Sequence, residues 1–169
     1  MTHGPARTRR VVSNLATLLR DPGHLLALGF GSGLSPKGPG TAGTIVGVAL
    51  YWPLTGVSQA VFLAIVAAAF VAGIWLCGRT ATALGVHDHP AIVWDEIVGY
   101  WFTMAFVDPG ILAAVLGFVV FRVFDIFKPW PIGLLDRRVH GGFGIMLDDM
   151  LAAVFGIIIL AFIEYLSYI

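Results

Sequence analysis

Three short stretches of this 169-residue chain hold most of the side chains able to do chemistry. The first, His87-Asp88-His89-Pro90-Ala91-Ile92-Val93-Trp94-Asp95-Glu96, packs two histidines and three carboxylates into ten residues at the threshold of an apolar run. Carboxylates in that position are costly unless they are paired or bind a metal. Successive helical residues diverge by about 100°, so Asp95 and Glu96 are expected to point apart, one toward a metal and the other toward a supporting partner or a cation. A wet helix cap is the plainer account of these acids, and a surface turn is the plainer account of His87 and His89. The second stretch, FRVFDIFKPWP, spaces Arg122, Asp125 and Lys128 along one helical face before Pro129 ends the helix, and an internal ion pair would explain Arg122 with Asp125. The third, DRRVHGGFGIMLDD, offers Asp136, Arg137, Arg138 and His140, a break at Gly141-Gly142, then Asp148 and Asp149 at the head of the last apolar run. Arg137 and Arg138 read first as cationic anchors, and the two acids can be read as helix N-terminal charges favoured by the dipole.

Upstream, residues 29–47 read GFGSGLSPKGPGTAGTIVG, seven glycines with Ser32, Ser35, Thr41, Thr44 and Lys37 ahead of a helix. Backbone N–H groups freed by glycine, hydroxyls and a helix N-terminus all favour an anion, and Lys37 adds a point charge, so the segment can cradle a phosphate. Its other reading is a loop followed by close helix packing through small residues. Gly38, Gly40 and Gly43 fit G-x-G-x-x-G, but no strand precedes them, and no Walker loop occurs.

The elements that must position these groups are apolar helices. The chain is 58% apolar and 12% charged, with a mean hydropathy of +0.89, far from the soluble average of about a quarter charged residues. Ten basic and ten acidic residues cancel, which argues against nucleic acid as a partner. The lone Cys77 excludes an internal disulfide and reads as a small buried hydrophobe. Residues 57–77 carry no charge over twenty-one positions, enough to cross a hydrocarbon core of about 30 Å. Residues 42–54 form a shorter apolar segment. Segments 97–107 and 111–121 are separated by the turn sequence Asp108-Pro109-Gly110 and form a hairpin, and 150–163 is the last span.

The expectation is an all-α, polytopic membrane bundle of about five transmembrane or partly embedded helices. Residues 1–23 form a cytoplasmic tail and interfacial helix, without a cleaved signal peptide, and residues 24–169 form a single embedded domain. Threading five spans puts all ten lysines and arginines, and all five histidines, on or just inside one face. The positive-inside rule makes that face cytoplasmic. Carboxylates from three helices thus meet cations and a glycine-rich loop at the cytoplasmic interface. Hard oxygen ligands suit Mg²⁺, which binds through a few carboxylates together with water and substrate phosphate. The depth of the cluster suggests that the rest of the substrate lies in lipid. A transporter is the rival class, but it should place polar groups near the midplane in repeated, broken helices, and the second, fourth and fifth spans have uncharged centres.

The blocks GFGSGLSPKGPGTAGT, VHDHPAIVWDEIVG and FRVFDIFKPWPIGLLDRRVHGGFGIMLDD resemble the signatures of the phosphatidylglycerophosphatase A family, from about residue 24 to the last helix. The resemblance implies a Mg²⁺-dependent phosphatase of the bacterial inner membrane, which removes the terminal phosphate of phosphatidylglycerophosphate to leave phosphatidylglycerol. On chemical grounds Glu96, Asp149 and Asp95 are the first candidates for metal ligands, with Asp125 and Asp148 next. Lys37, Arg122 and Lys128, aided by Ser32, Ser35 and Thr41, would hold phosphate oxygens. His87, His89 or His140 would protonate the leaving glycerol oxygen, since an imidazole titrates near neutrality. No arginine follows Cys77 by six residues, and neither D-x-D-x-[TV] nor P-S-G-H occurs, so a phosphoenzyme is disfavoured. Nothing in the sequence bears on oligomeric state.

Overall fold

A computed structural model describes residues 17–167, all in helices, turns and connecting loops. Most of the expected N-terminal tail lies outside the described residues. The chain runs α1 (Pro22–Ala27), a 3₁₀ segment (Gly29–Leu34), α2 (Pro39–Tyr51), α3 (Gln59–Leu84), α4 (Trp94–Met104), α5 (Ile111–Phe127), α6 (Ile132–Asp136) and α7 (Gly141–Ser167). Local sequence explains the boundaries. Asp21 caps α1 by accepting from the N–H groups of Gly23 at 2.9 Å and His24 at 3.2 Å. Ser58 caps α3, which ends at Gly85 in the left-handed region that glycine enters without strain. Asp21 also makes a twofold bond to Arg79 at 2.8 Å, which clamps α1 to α3 and holds the Asp21 carboxyl well below the usual carboxylate range.

The five long helices coincide with the five expected apolar segments, but their lengths differ. At 1.5 Å per residue, α3 (26 residues) and α7 (27 residues) reach about 40 Å, while α4, with 11 residues, reaches only about 16 Å. Among the described residues, α3 and α7 are long and apolar enough to cross a membrane. In the most apolar stretch of α3 only 28% of residues are buried, the reverse of a soluble core helix. Its outer face presents Val61, Val71 and Trp75. An apolar helix with an uncovered apolar face has lipid for solvent, and the protein is membrane-associated.

Short α4 is the hub. Its Trp94, Ile97, Val98, Tyr100, Trp101 and Met104 are all buried, and it packs against α2, α3, α5 and α7. Small residues permit this approach: a Cβ on Gly43 would meet Val93 at 2.6 Å, and one on Gly99 would meet the Phe121 ring at 2.7 Å. The polar atoms of its aromatic side chains find partners inside the bundle. The Trp94 and Trp101 ring N–H groups donate to the carbonyls of Ala69 (3.0 Å) and Gly47 (2.9 Å), and the Tyr100 hydroxyl donates to that of Ala114 (3.3 Å).

The glycine break falls where expected: Gly141, at φ 77°, opens α7 after the non-helical residues 137–140, and Gly142 lies where α7 crosses α3 against Ile74. One local expectation is corrected. Asp148 and Asp149 are therefore the eighth and ninth residues of α7, beyond the first turn over which the helix dipole acts, so they are not N-terminal helix charges.

Candidate active site

The helices alternate in direction, so the start of α2, the end of α3, the start of α4, the end of α5 and the start of α7 come to one end of the bundle. There α2, α4, α5, α7 and the loop that follows α3 enclose a cleft of about 300 Å³. Asp95 and Glu96 enter it from the first turn of α4, Arg122 and Asp125 from the last turns of α5, and Asp148 and Asp149 from α7. Lys128 joins from the left-handed cap of α5 (φ 39°), which turns its side chain away from the continuing helical face. Gly38, Pro39 and Gly40 bring the N-terminus of α2 to the opposite wall. Glycine at position 40 leaves room for these side chains: a Cβ there would displace the Glu96 carboxylate and sit 3.1 Å from the Arg122 guanidinium.

Oxygens of Asp95, Glu96 and Asp149 lie within 4.8 Å of one another. Neighbouring helical positions were expected to diverge, yet both Asp95 and Glu96 reach this point, since the longer Glu96 side chain can swing back and Asp149 arrives from a different helix. Arg122 pairs with Asp125 and stands 3.8 Å from Glu96. Lys128 pairs with Asp148 and, at 3.0 Å, with Asp136. Asp125 and Asp148 thus each hold a cation, which separates them from the three clustered acids. Asp95 Oδ1, Glu96 Oε2, Asp148 Oδ1 and Asp149 Oδ2 are buried acceptors without a hydrogen-bond partner. Five buried or half-buried carboxylates, with exposed Asp88 at the rim, face two cations here. Buried charge in such excess is strongly unfavourable unless another cation offsets it, and a closely spaced, all-oxygen donor set with open lone pairs fits a hard divalent ion.

The other expected site residues lie elsewhere. Lys37 is exposed and outside the cleft lining. The Ser32 hydroxyl donates to the Gly29 carbonyl (2.7 Å) and that of Ser35 to the Lys37 carbonyl (2.9 Å), so both serve the loop's own backbone. Thr41 is half-buried in the first turn of α2, next to the lining residue Gly40 but not part of the lining itself. Within the glycine-rich segment, the start of α2 faces the cleft, and the later Gly43 and Gly47 serve close packing against Val93 and α4.

No histidine lines the cleft among the described residues. His87 Nε2 accepts from the Gly141 N–H at 2.8 Å and stacks edge-on with His140, ring centres 4.6 Å apart. His89 Nδ1 accepts from the Ala91 N–H at 3.1 Å, and burial pushes its imidazole below the usual value. Two residues that were not among the expected ligands or phosphate contacts gain a place. Asp88 lines the cleft at its rim, and Asp136 secures Lys128. Asp88 had a signal in the acid-rich stretch, whereas Asp136 had only its nearness to Lys128.

Fold and site together define a membrane-associated helical protein with a buried acidic centre flanked by cations. The chain belongs to the phosphatidylglycerophosphatase A family: the family model described as Phosphatidylglycerophosphatase A matches residues 25–164. The phosphatidylglycerophosphatase A of Escherichia coli (strain K12) is 46% identical over 148 residues, covering 87% of this chain and 86% of that protein. Its namesake from Haemophilus influenzae is 48% identical over 155 residues, covering 87% and 91%. A Bacteroides thetaiotaomicron protein with the provisional name phosphatidylinositol-3-phosphatase is 37% identical over 146 residues, covering 81% and 90%. No solved structure matches.

Proposed function

We propose that this protein hydrolyses the terminal phosphomonoester of phosphatidylglycerophosphate, giving phosphatidylglycerol and inorganic phosphate, at the cytoplasmic face of a bacterial inner membrane. The observation that carries the reading is the meeting of Asp95, Glu96 and Asp149 within 4.8 Å, beside Arg122 and Lys128, at one end of a lipid-facing bundle. Family membership supplies the lipid. In this reading Asp95, Glu96 and Asp149 hold Mg²⁺. Bound there, Mg²⁺ would supply charge neutralisation and an acidified water for in-line displacement at phosphorus.

The chain's own groups do the rest. Arg122 and Lys128 draw the non-bridging phosphate oxygens into the cleft, while Asp125 and Asp148 keep the two cations aimed. N–H groups at the start of α2 add positive partial charge on the far wall. The water oxygen bonds to phosphorus as the bond to the glycerol oxygen breaks, and that oxygen leaves with the electron pair and takes up a proton. His87, His89 and His140 are not assigned this proton transfer, because their ring nitrogens or faces are engaged outside the cleft. Arg137 and Arg138 are exposed at the same end, as positive-inside anchors would be, which supports a cytoplasmic cleft and five crossing or partly embedded helices.

Purified protein in mixed micelles should release phosphate from phosphatidylglycerophosphate with Mg²⁺ and stop when a chelator is added. The provisional name of the Bacteroides relative favours a second substrate, phosphatidylinositol 3-phosphate, so both lipids belong in the assay. Faster release from the inositol lipid would replace the proposed substrate, and no release from either would end the phosphatase reading.

A further inference from the structure

A second cavity, about 360 Å³ and almost wholly apolar, lies between α2 and α5. Ile45 and Val48 of α2 and Trp52 just past its end line it on one side, and Ile111, Val115 and Phe118 of α5 on the other. Each set is one helical stripe, since residues three, four and seven apart share a face. The α5 stripe continues toward the active-site cleft: one turn beyond Phe118 comes Arg122, which lines it together with Pro39 and Gly40 at the start of α2. Ile45, Ile111 and Val115 are all more than half exposed, so the groove opens to the outer side of the bundle, where lipid lies. From Arg122 to Ile111 the rise is about 16 Å, roughly half of a 30 Å hydrocarbon core, or one leaflet.

We infer that this groove holds one acyl chain of the lipid phosphomonoester, with the phosphate seated in the cleft at its polar end. The inference rests on the phosphatase reading and extends it from headgroup to tail. Three observations select a chain of the substrate over other occupants. The groove runs into the cleft along α5, its depth is that of one leaflet, and its lining offers almost nothing polar to a protein partner. A lipid held this way is positioned by its tail as well as its phosphate, so apolar burial far from phosphorus contributes to binding at the reacting end.

The test uses full-length protein in phosphatidylcholine vesicles containing a phosphatidylglycerophosphate with a diazirine in one acyl chain. Photolabelling should concentrate on residues 45–52 and 111–118, and Val115→Trp or Ile45→Trp should lower it severalfold while label on the outer face of α3 around Trp75 is unchanged. Both replaced side chains are more than half exposed, so the larger ring has room, and an unchanged melting temperature confirms folding. In phosphate-release assays Val115→Trp should raise KM for the dioleoyl lipid about tenfold, the scale on which apolar pockets discriminate, and leave that for the dihexanoyl lipid unchanged. Equal labelling of groove and α3 face, equal labelling by a diazirine phosphatidylcholine, or labelling untouched by both tryptophans overturns the groove. Wild-type activity reads the catalytic proposal separately: groove-selective labelling without phosphate release would sink the phosphatase reading and leave the lipid site standing.

Discussion

Replacing Asp149 by asparagine should make the metal-free protein more stable while disabling it. Asp149 is 2% exposed, its Oδ2 has no hydrogen-bond partner, and its carboxylate lies within 4.8 Å of those of Asp95 and Glu96. At an effective dielectric of about 20, two unit charges 4.8 Å apart repel by about 3.5 kcal/mol. The amide keeps the shape and removes both repulsions. Arg122 and water entering the cleft screen part of this, so we expect a gain of about 2 kcal/mol, equivalent to about 4–8 °C in melting temperature for a domain of this size. Mg²⁺ should raise the melting temperature of the wild type by mass action and leave that of Asp149→Asn nearly unmoved. Phosphate release should fall by more than about 100-fold, beyond the cost of losing a supporting partner. Thermal unfolding in detergent with and without Mg²⁺, alongside phosphate release, reads all three. A metal-free variant that melts below wild type, or one that keeps the full Mg²⁺ response, would refute the electrostatic account.

Three further outcomes follow from the same geometry. Arg122→Lys retains the charge but loses the planar fork that reaches both Asp125 and Glu96, so phosphate release should drop by about 10- to 100-fold with little change in melting temperature. His87→Ala and His140→Ala should each keep nearly full activity; a loss near the 100-fold that removal of a general acid brings would restore an imidazole to the chemistry. His24 is buried and shares a 2.9 Å hydrogen bond with Thr80, and its desolvation, followed by the nearby Arg79 charge, lowers its pKa below the usual 6.5. The unfolded chain then binds the proton more readily than the folded one, so this contribution to stability is complete above about pH 6.5 and is lost as pH falls below it. Melting temperatures between pH 7.5 and 5 should show that decline in the wild type and a weaker one in His24→Gln.

Much of the helical framework was legible because lipid imposes a simple requirement: a long uncharged run must close its own backbone hydrogen bonds. Residues 57–77 therefore marked the core of α3, and Asp108-Pro109-Gly110 marked the hairpin. Helix ends were less legible. Asp148 and Asp149 look like the head of a span in one dimension, yet α7 begins at Gly141 and runs through them, since inside the bundle they face the cleft and Asp148 meets Lys128. The site was legible as a set of acids and cations at one depth, but not in its internal division. Asp125 and Asp148 have the same composition signal as Asp95 and Asp149; only their neighbours, Arg122 and Lys128, distinguish them.

The histidines show the limit most clearly. Their reactivity near neutral pH made His87, His89 and His140 natural candidates, and the fold instead ties their rings to local backbone or to each other, outside the cleft. By itself the sequence determined that this is an apolar helical chain with its charge gathered at one end, because periodicity and hydropathy are local properties. Only the tertiary structure decided which acids meet. Asp95, Glu96 and Asp149 lie up to 54 positions apart, and their contact depends on how closely α4 can pack against α2, α5 and α7, a distance set by glycines whose role no single segment reveals.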